Sequence, residues 1–245
     1  MVQQRLSSVS REPLALQEFA LLMADPVFYG VGVPRGDGRP ALVLPGLFAN
    51  DFYLQPMHSW LGRIGYRPVP STFWVNAGCP ERLTGQAQEA LERRLSRSER
   101  PAVIIGHSRG GILAKAIATR LSERASHLVL LGSPVGAMMR YNWGDARNAP
   151  TAASRTLGEA SSRIRNLLDP DCDAPGCGCA FFADLRAPLN RSTKVVSIYS
   201  RDDPIVPAWS CQIPGAENIE VSGTHSGLAF NGAVYRALAE QLNSG

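Results

Sequence analysis

Gly106-His107-Ser108-Arg109-Gly110-Gly111 decides how this chain is read. It follows the apolar run Pro101-Ala102-Val103-Ile104-Ile105 and precedes a helix-like run from Ile112 to Leu121. Gly-x-Ser-x-Gly between a strand and a helix is the pattern of a nucleophile elbow. Such a turn is tight enough to force the serine backbone into a strained conformation. Glycines two positions before and after the serine let strand and helix approach each other. The hydroxyl then stands clear at the N-terminus of a helix, where free N–H groups and the helix dipole favour developing negative charge.

Working outward, the rest of the chain alternates short strands with helices. Ala41 to Leu44, Tyr66 to Ser71, Pro101 to Ile105, His127 to Leu131, Val195 to Tyr199 and Ile219 to Val221 read as strands. Helical spacing of apolar residues marks Pro13 to Ala24, Phe52 to Gly65, Thr84 to Ser96, Ile112 to Arg124 and Asn231 to Leu242. Continuous apolar strands alternating with helices predict an α/β fold, a doubly wound and mostly parallel sheet covered on both faces. Any site then belongs at the carboxyl ends of the strands. Between Gly136 and Asn190 the alternation fails, although Ser154 to Leu168 is helix-like. The expectation is a single domain over 1–245, with a cap or lid inserted at about 136–190.

A chain of 245 residues can bury a sizeable core. With 44% hydrophobic and 19% charged residues, it reads as an ordinary soluble globular protein. The net charge of +4 is scattered. Its densest basic cluster, Arg93, Arg94, Arg97 and Arg100, is interleaved with Glu89, Glu92 and Glu99, which reads as a solvated helix face rather than a nucleic-acid footprint. No apolar run reaches the length of a membrane span, and the first residues lack the layout of a secretory signal, so stable membrane insertion is not expected and a cytoplasmic location is.

A serine hydroxyl needs a base, a group to orient the base, and donors for an oxyanion. On a fold of this kind the order is Ser, then Asp or Glu, then His. Four histidines are available: His58, His107, His127 and His225. His58 precedes the serine and falls on a predicted helix. His107 sits inside the elbow with its ring expected to point away from the pocket. His127 starts a strand, at the opposite end from the site. His225, in Ser222-Gly223-Thr224-His225-Ser226-Gly227, follows the last strand and is the candidate base. The acid follows Val195–Tyr199, where Asp202 or Asp203 could serve; Asp203, before Pro204, is preferred, and turn capping is left for the other. Oxyanion donors are expected from the backbone N–H groups of Leu47, after Pro45-Gly46, and of Arg109.

Four separated segments carry a resemblance: Leu44–Asp51, Gly106–Gly111, Tyr199–Pro207 and Gly223–Gly227. In order and spacing they resemble the α/β-hydrolase superfamily, and within it bacterial lipase- and esterase-like members. The resemblance leaves out the first forty residues and the cap. It implies acyl transfer to Ser108, then hydrolysis of the acyl-enzyme by water activated by His225, with no cofactor and no metal. The substrate would be a small-molecule or lipid ester. An acyltransferase or thioesterase could use the same triad, and a binding protein on a hydrolase scaffold is a third reading, opposed by the intact Ser, Asp, His and oxyanion glycine. Two positions depart from many relatives. Pro45 replaces a frequent histidine. Arg109 replaces a frequent methionine, and would either bring positive charge near the site or pair with an acid.

Five cysteines, Cys79, Cys172, Cys177, Cys179 and Cys211, allow reduced thiols, a disulfide from the cap to Cys211, or a metal site. The cap also holds Val135, Met138, Met139, Tyr141, Trp143, Leu157, Ile164, Leu167 and Leu168. These would line an apolar acyl pocket or simply form the core of the cap.

Overall fold

A computed structural model describes residues 14–140, 152–172 and 179–242. Six strands form one sheet: β1 (Pro40–Leu44), β2 (Arg67–Pro70), β3 (Ala102–His107), β4 (Ala125–Leu131), β5 (Lys194–Ser200) and β6 (Glu217–Val221). Their order is β2-β1-β3-β4-β5-β6, and every pairing is parallel. All six strands expected from the sequence are present, each within a few residues of its predicted bounds.

The strands alternate between two cores. Ala41, Val43, Val103, Ile105, Val129 and Leu131 face one layer, packed under α1 (Ala15–Ala24), α2 (Gln55–Arg63) and α9 (Gly232–Leu242). Leu42, Leu44, Ile104, Leu128 and Leu130 face the other, under α3 (Pro80–Leu95) and α4 (Arg109–Leu121). Burial on both faces is why these strands read as unbroken apolar runs. β2 carries two prolines and lies at the sheet edge, where a missing N–H costs no ladder bond.

Helix ends shifted from the sequence expectation for identifiable reasons. α3 begins at Pro80, four residues early, because proline fits the first turn, where its missing N–H has no intrahelical role. α2 begins late, at Gln55, after turns at Asn50–Leu54. Within 136–190 no strand occurs among the described residues, which hold α5 (Val135–Arg140), α6 (Ala152–Leu168) and α7 (Phe181–Arg186). A last short helix, α8 (Ala208–Cys211), follows β5.

The chain has only two lysines. Lys115, on α4, is fully buried and donates to Thr119 Oγ1 (2.7 Å) and to the Asp184 and Ala187 carbonyls (3.1 and 2.7 Å), stitching α4 to the end of α7. Burial pulls its ammonium down to about 8, against the pull of Asp184. Lys194 opens β5, at the amino edge of the sheet.

β1 leads outward to β2, and the chain then crosses back to place β3 on β1's other side. The carboxyl ends of β1 and β3 therefore flank the point where the winding reverses, the crevice in which such sheets hold their sites.

Candidate active site

Ser108 closes β3 and opens α4 with φ 53° and ψ −122°. A non-glycine residue is rarely found there, and the strain costs on the order of 1–3 kcal/mol. The turn is held by its surroundings. A Cβ on Gly106 would lie 2.4 Å from Gly111 Cα, and one on Gly110 would lie 2.3 Å from the Leu44 carbonyl oxygen. Ser133 Oγ donates to the Ser108 carbonyl at 2.7 Å, and Ser108 N donates to the Leu131 carbonyl at 2.8 Å.

The serine hydroxyl lies 2.9 Å from His225 Nε2, and His225 Nδ1 lies 2.6 Å from Asp203 Oδ2. Because a carboxylate only accepts, Nδ1–H donates to it and Nε2 is left to accept from Ser108. Both partners are secluded, with side chains 6% (His225) and 1% (Asp203) exposed. Asp203 Oδ1 accepts from the Ile205 and Val206 amides, each at 2.8 Å, so the loop after β5 fixes the carboxylate. Asp202 is exposed, and its backbone amide donates to Ser200 Oγ at 3.1 Å.

The remaining histidines lie elsewhere. His127 lies near the start of β4, paired with Lys194 at the amino edge, and His58 is buried on α2. His107 was expected to point away from the pocket. Its ring is buried behind the site, where Nε2–H donates to the His225 carbonyl at 3.0 Å. Burial, reinforced by neighbouring His225, pushes its imidazole down to about 3, so it is neutral. Tyr53 stacks behind it, with its hydroxyl donating to the Ser226 carbonyl at 2.5 Å.

Gly46 comes close to the nucleophile: a Cβ there would lie 3.3 Å from Ser108 Cβ. Leu47 is thus carried past the serine by the loop after β1. The Arg109 side chain does not make the expected pair with an acid. Nη1 and Nη2 donate to the backbone carbonyls of Asn76 and Gly78 at 2.9 and 2.8 Å, not to a carboxylate. Burial lowers its guanidinium to about 10, still a cation at neutral pH.

The thiols regroup as well. Cys79, Cys172 and Cys179 line one cavity of about 480 Å³ with Arg82 and Asp169. Cys211 instead packs with Tyr199 and Val206, and burial pushes its thiol up. Among the described residues no disulfide is present and no cluster is arranged to hold a metal ion. Cys177, Tyr141 and Trp143 lie outside the described residues. Of the other cap residues, Val135 is buried, whereas Leu167 and Leu168 are exposed. No described helix is long and apolar enough to cross a membrane.

One supporting group came from a segment the motif spacing passed over. Glu18, on α1, accepts from Thr224 Oγ1 at 2.6 Å and from Asn231 Nδ2 at 3.1 Å, bracing the loop that carries His225. Nothing local in the sequence connects residues some 206 positions apart.

No family model and no curated protein sequence matches the chain. Solved structures do. Bacillus licheniformis lipase BlEst2 aligns with a TM-score of 0.55 at 12% identity, covering 85% of this chain and 94% of that one. A thermophilic esterase from Thermogutta terrifontis aligns at 0.52 and 17% identity, covering 85% and 91%. BpoC of Mycobacterium tuberculosis H37Rv, named as a non-heme bromoperoxidase, aligns at 0.52 and 16%, covering 86% and 94%. With the six-stranded parallel sheet, these likenesses show that the chain has the α/β-hydrolase fold.

Proposed function

We propose that this chain is a serine hydrolase that cleaves carboxylic esters through an acyl-enzyme on Ser108. The observation that carries the reading is the continuous hydrogen-bonded chain from Ser108 Oγ through His225 to Asp203, at 2.9 and 2.6 Å. Its chemistry is that of a base-activated nucleophile. Ser108 Oγ attacks the ester carbonyl while its proton passes to His225 Nε2. Asp203 keeps the imidazole in the required tautomer and stabilises the imidazolium. The N–H groups of Leu47 and Arg109 receive the oxyanion. The imidazolium then protonates the departing alcohol, and the same nitrogen activates the water that releases the acid. Residues 136–190 form the cap in this reading.

Hydrolysis of p-nitrophenyl esters from acetate to palmitate, compared between wild type and Ser108→Ala, tests it. A loss on the order of 10³-fold or more is expected in the variant. Equal rates in the two proteins would overturn the assignment of Ser108. A wild type that turns over a thioester or an added alcohol acceptor much faster than water-mediated ester cleavage would move the reading to a thioesterase or acyltransferase.

A further inference from the structure

Two amides are asked to bind the oxyanion, and they come from different loops. Arg109 N–H is fixed by the start of α4. Leu47 N–H lies on the Pro45–Ala49 loop, whose own hold is one turn bond from Ala49 N to the Gly46 carbonyl at 3.2 Å. Gly46 has wide conformational freedom. Phe48 sits at φ 61°, in the left-handed region, where a side chain costs roughly 1 kcal/mol. A loop of this kind keeps one shape only if its surroundings dictate it.

Asn76, fully buried in the loop between β2 and α3, supplies three ties. Its Nδ2 donates to the Pro45 carbonyl at 2.7 Å. Its carbonyl accepts from Phe48 N at 3.1 Å, and its own amide donates to the Ala49 carbonyl at 2.9 Å. These ties bracket Leu47 on both sides. The same Asn76 carbonyl accepts from Arg109 Nη1, and Nη2 reaches the Gly78 carbonyl. A planar guanidinium can hold two carbonyls at fixed spacing. A lysine ammonium in this place would act as a single point.

We propose that Asn76 and the Arg109 side chain are positioning residues that clamp the Leu47 amide toward Ser108. One residue would then supply one oxyanion donor from its backbone and hold the other through its side chain. This rests on the ester-hydrolase reading above. A charge-assisted bond to a buried carbonyl is stronger than a neutral one, which suits a tie that must resist loop motion during turnover.

The test uses the full chain with Arg109→Met, Arg109→Lys, Asn76→Ala and the Asn76→Ala/Arg109→Met pair, with Ser108→Ala as the baseline. Two rates are read: p-nitrophenyl butyrate hydrolysis, and labelling of Ser108 by a fluorophosphonate. Thermal melting identifies variants that fail to fold, and Arg109→Lys keeps cation and bulk should Arg109→Met be one of them. Expected is a fall in kcat of roughly 10- to 100-fold with KM within about threefold, because the interaction strengthens only in the transition state. Labelling should fall in parallel, Arg109→Lys should recover only part of the rate, and the pair should lose no more than about the worse single change. A folded Arg109→Met or Asn76→Ala protein with kcat within about threefold of wild type, or a loss confined to KM, would overturn the clamp while Ser108→Ala stayed inactive. Wild type that neither hydrolyses nor labels would instead overturn the ester-hydrolase reading itself, and the clamp with it.

Discussion

The carboxylate of Glu18 accepts a 2.6 Å hydrogen bond from the hydroxyl of Thr224, the residue immediately before His225. A helix near the beginning of the chain thereby holds the loop bearing the proposed base. Hydrogen bonds to a charged, half-buried group contribute about 1.5–3 kcal/mol. Glu18→Ala is expected to lower stability by about that amount, measured by denaturant unfolding. It should also lower kcat by roughly tenfold as the imidazole loses its fixed position. Unchanged stability and rate would show that the first helix is dispensable to the site.

His107 supports the same loop from behind, donating to the His225 carbonyl at 3.0 Å. His107→Leu keeps the apolar volume and removes the donor. It leaves a buried carbonyl without its partner, a cost of about 1–3 kcal/mol. The expected result is a lower melting temperature and a kcat reduced roughly tenfold. His107→Gln, able to donate from a similar place, should recover part of both. A silent Leu variant would refute this support.

Gly110 has little room to change. An added Cβ would lie 2.3 and 2.5 Å from the Leu44 and Pro45 carbonyl oxygens, and both are backbone atoms that cannot swing aside. Gly110→Ala should cost more than about 3 kcal/mol or abolish soluble expression. Circular dichroism and melting decide it; wild-type stability in the variant would mean the elbow can spread.

His127, at the amino edge and away from the site, provides the pH prediction. Burial, aided by Arg39 and Lys194, lowers its imidazole to about 4 from the ordinary 6.5. Between those values the unfolded chain binds a proton there and the folded chain does not. Stability therefore rises with pH across that window and is lost as pH falls through it, by about 3 kcal/mol in all. His127→Gln should flatten this part of the profile while leaving the proposed ester hydrolysis near neutral pH intact. Unfolding free energies at about pH 7, 5.5 and 4.5 would expose the effect, and parallel profiles for both proteins would rule it out.

Much of the framework was legible in the sequence because its signals are local. Unbroken apolar runs announced strands buried on both faces, and glycines spaced around Ser108 announced a turn that only they can make. Ser108, Asp203 and His225 were singled out by order along the chain, and the fold brings their side chains within hydrogen-bonding reach. Glu18 and Asn76 left no such trace. Each acts on residues far away in sequence, through a few hydrogen bonds that impose no spacing on their neighbours. The partners of Arg109 were not legible either, since a guanidinium facing two carbonyls looks the same in sequence as one facing an acid. Cys79, set apart from the other thiols by some ninety positions, joined Cys172 through Asp169, which accepts from the Cys79 amide with its side chain and from the Cys172 amide with its backbone.

The scarcity and placement of lysine have a practical consequence. Lys115 is walled in by α4 and α7, so of the two lysines only the half-buried Lys194, whose ammonium donates to the Gln241 carbonyl at 3.0 Å, is within reach of amine-reactive reagents. It stands at the amino edge of β5, and Ser108, Asp203 and His225 gather at the opposite edge. A support or fluorophore coupled through Lys194 would hold the molecule by its back, with the mouth of the crevice turned outward.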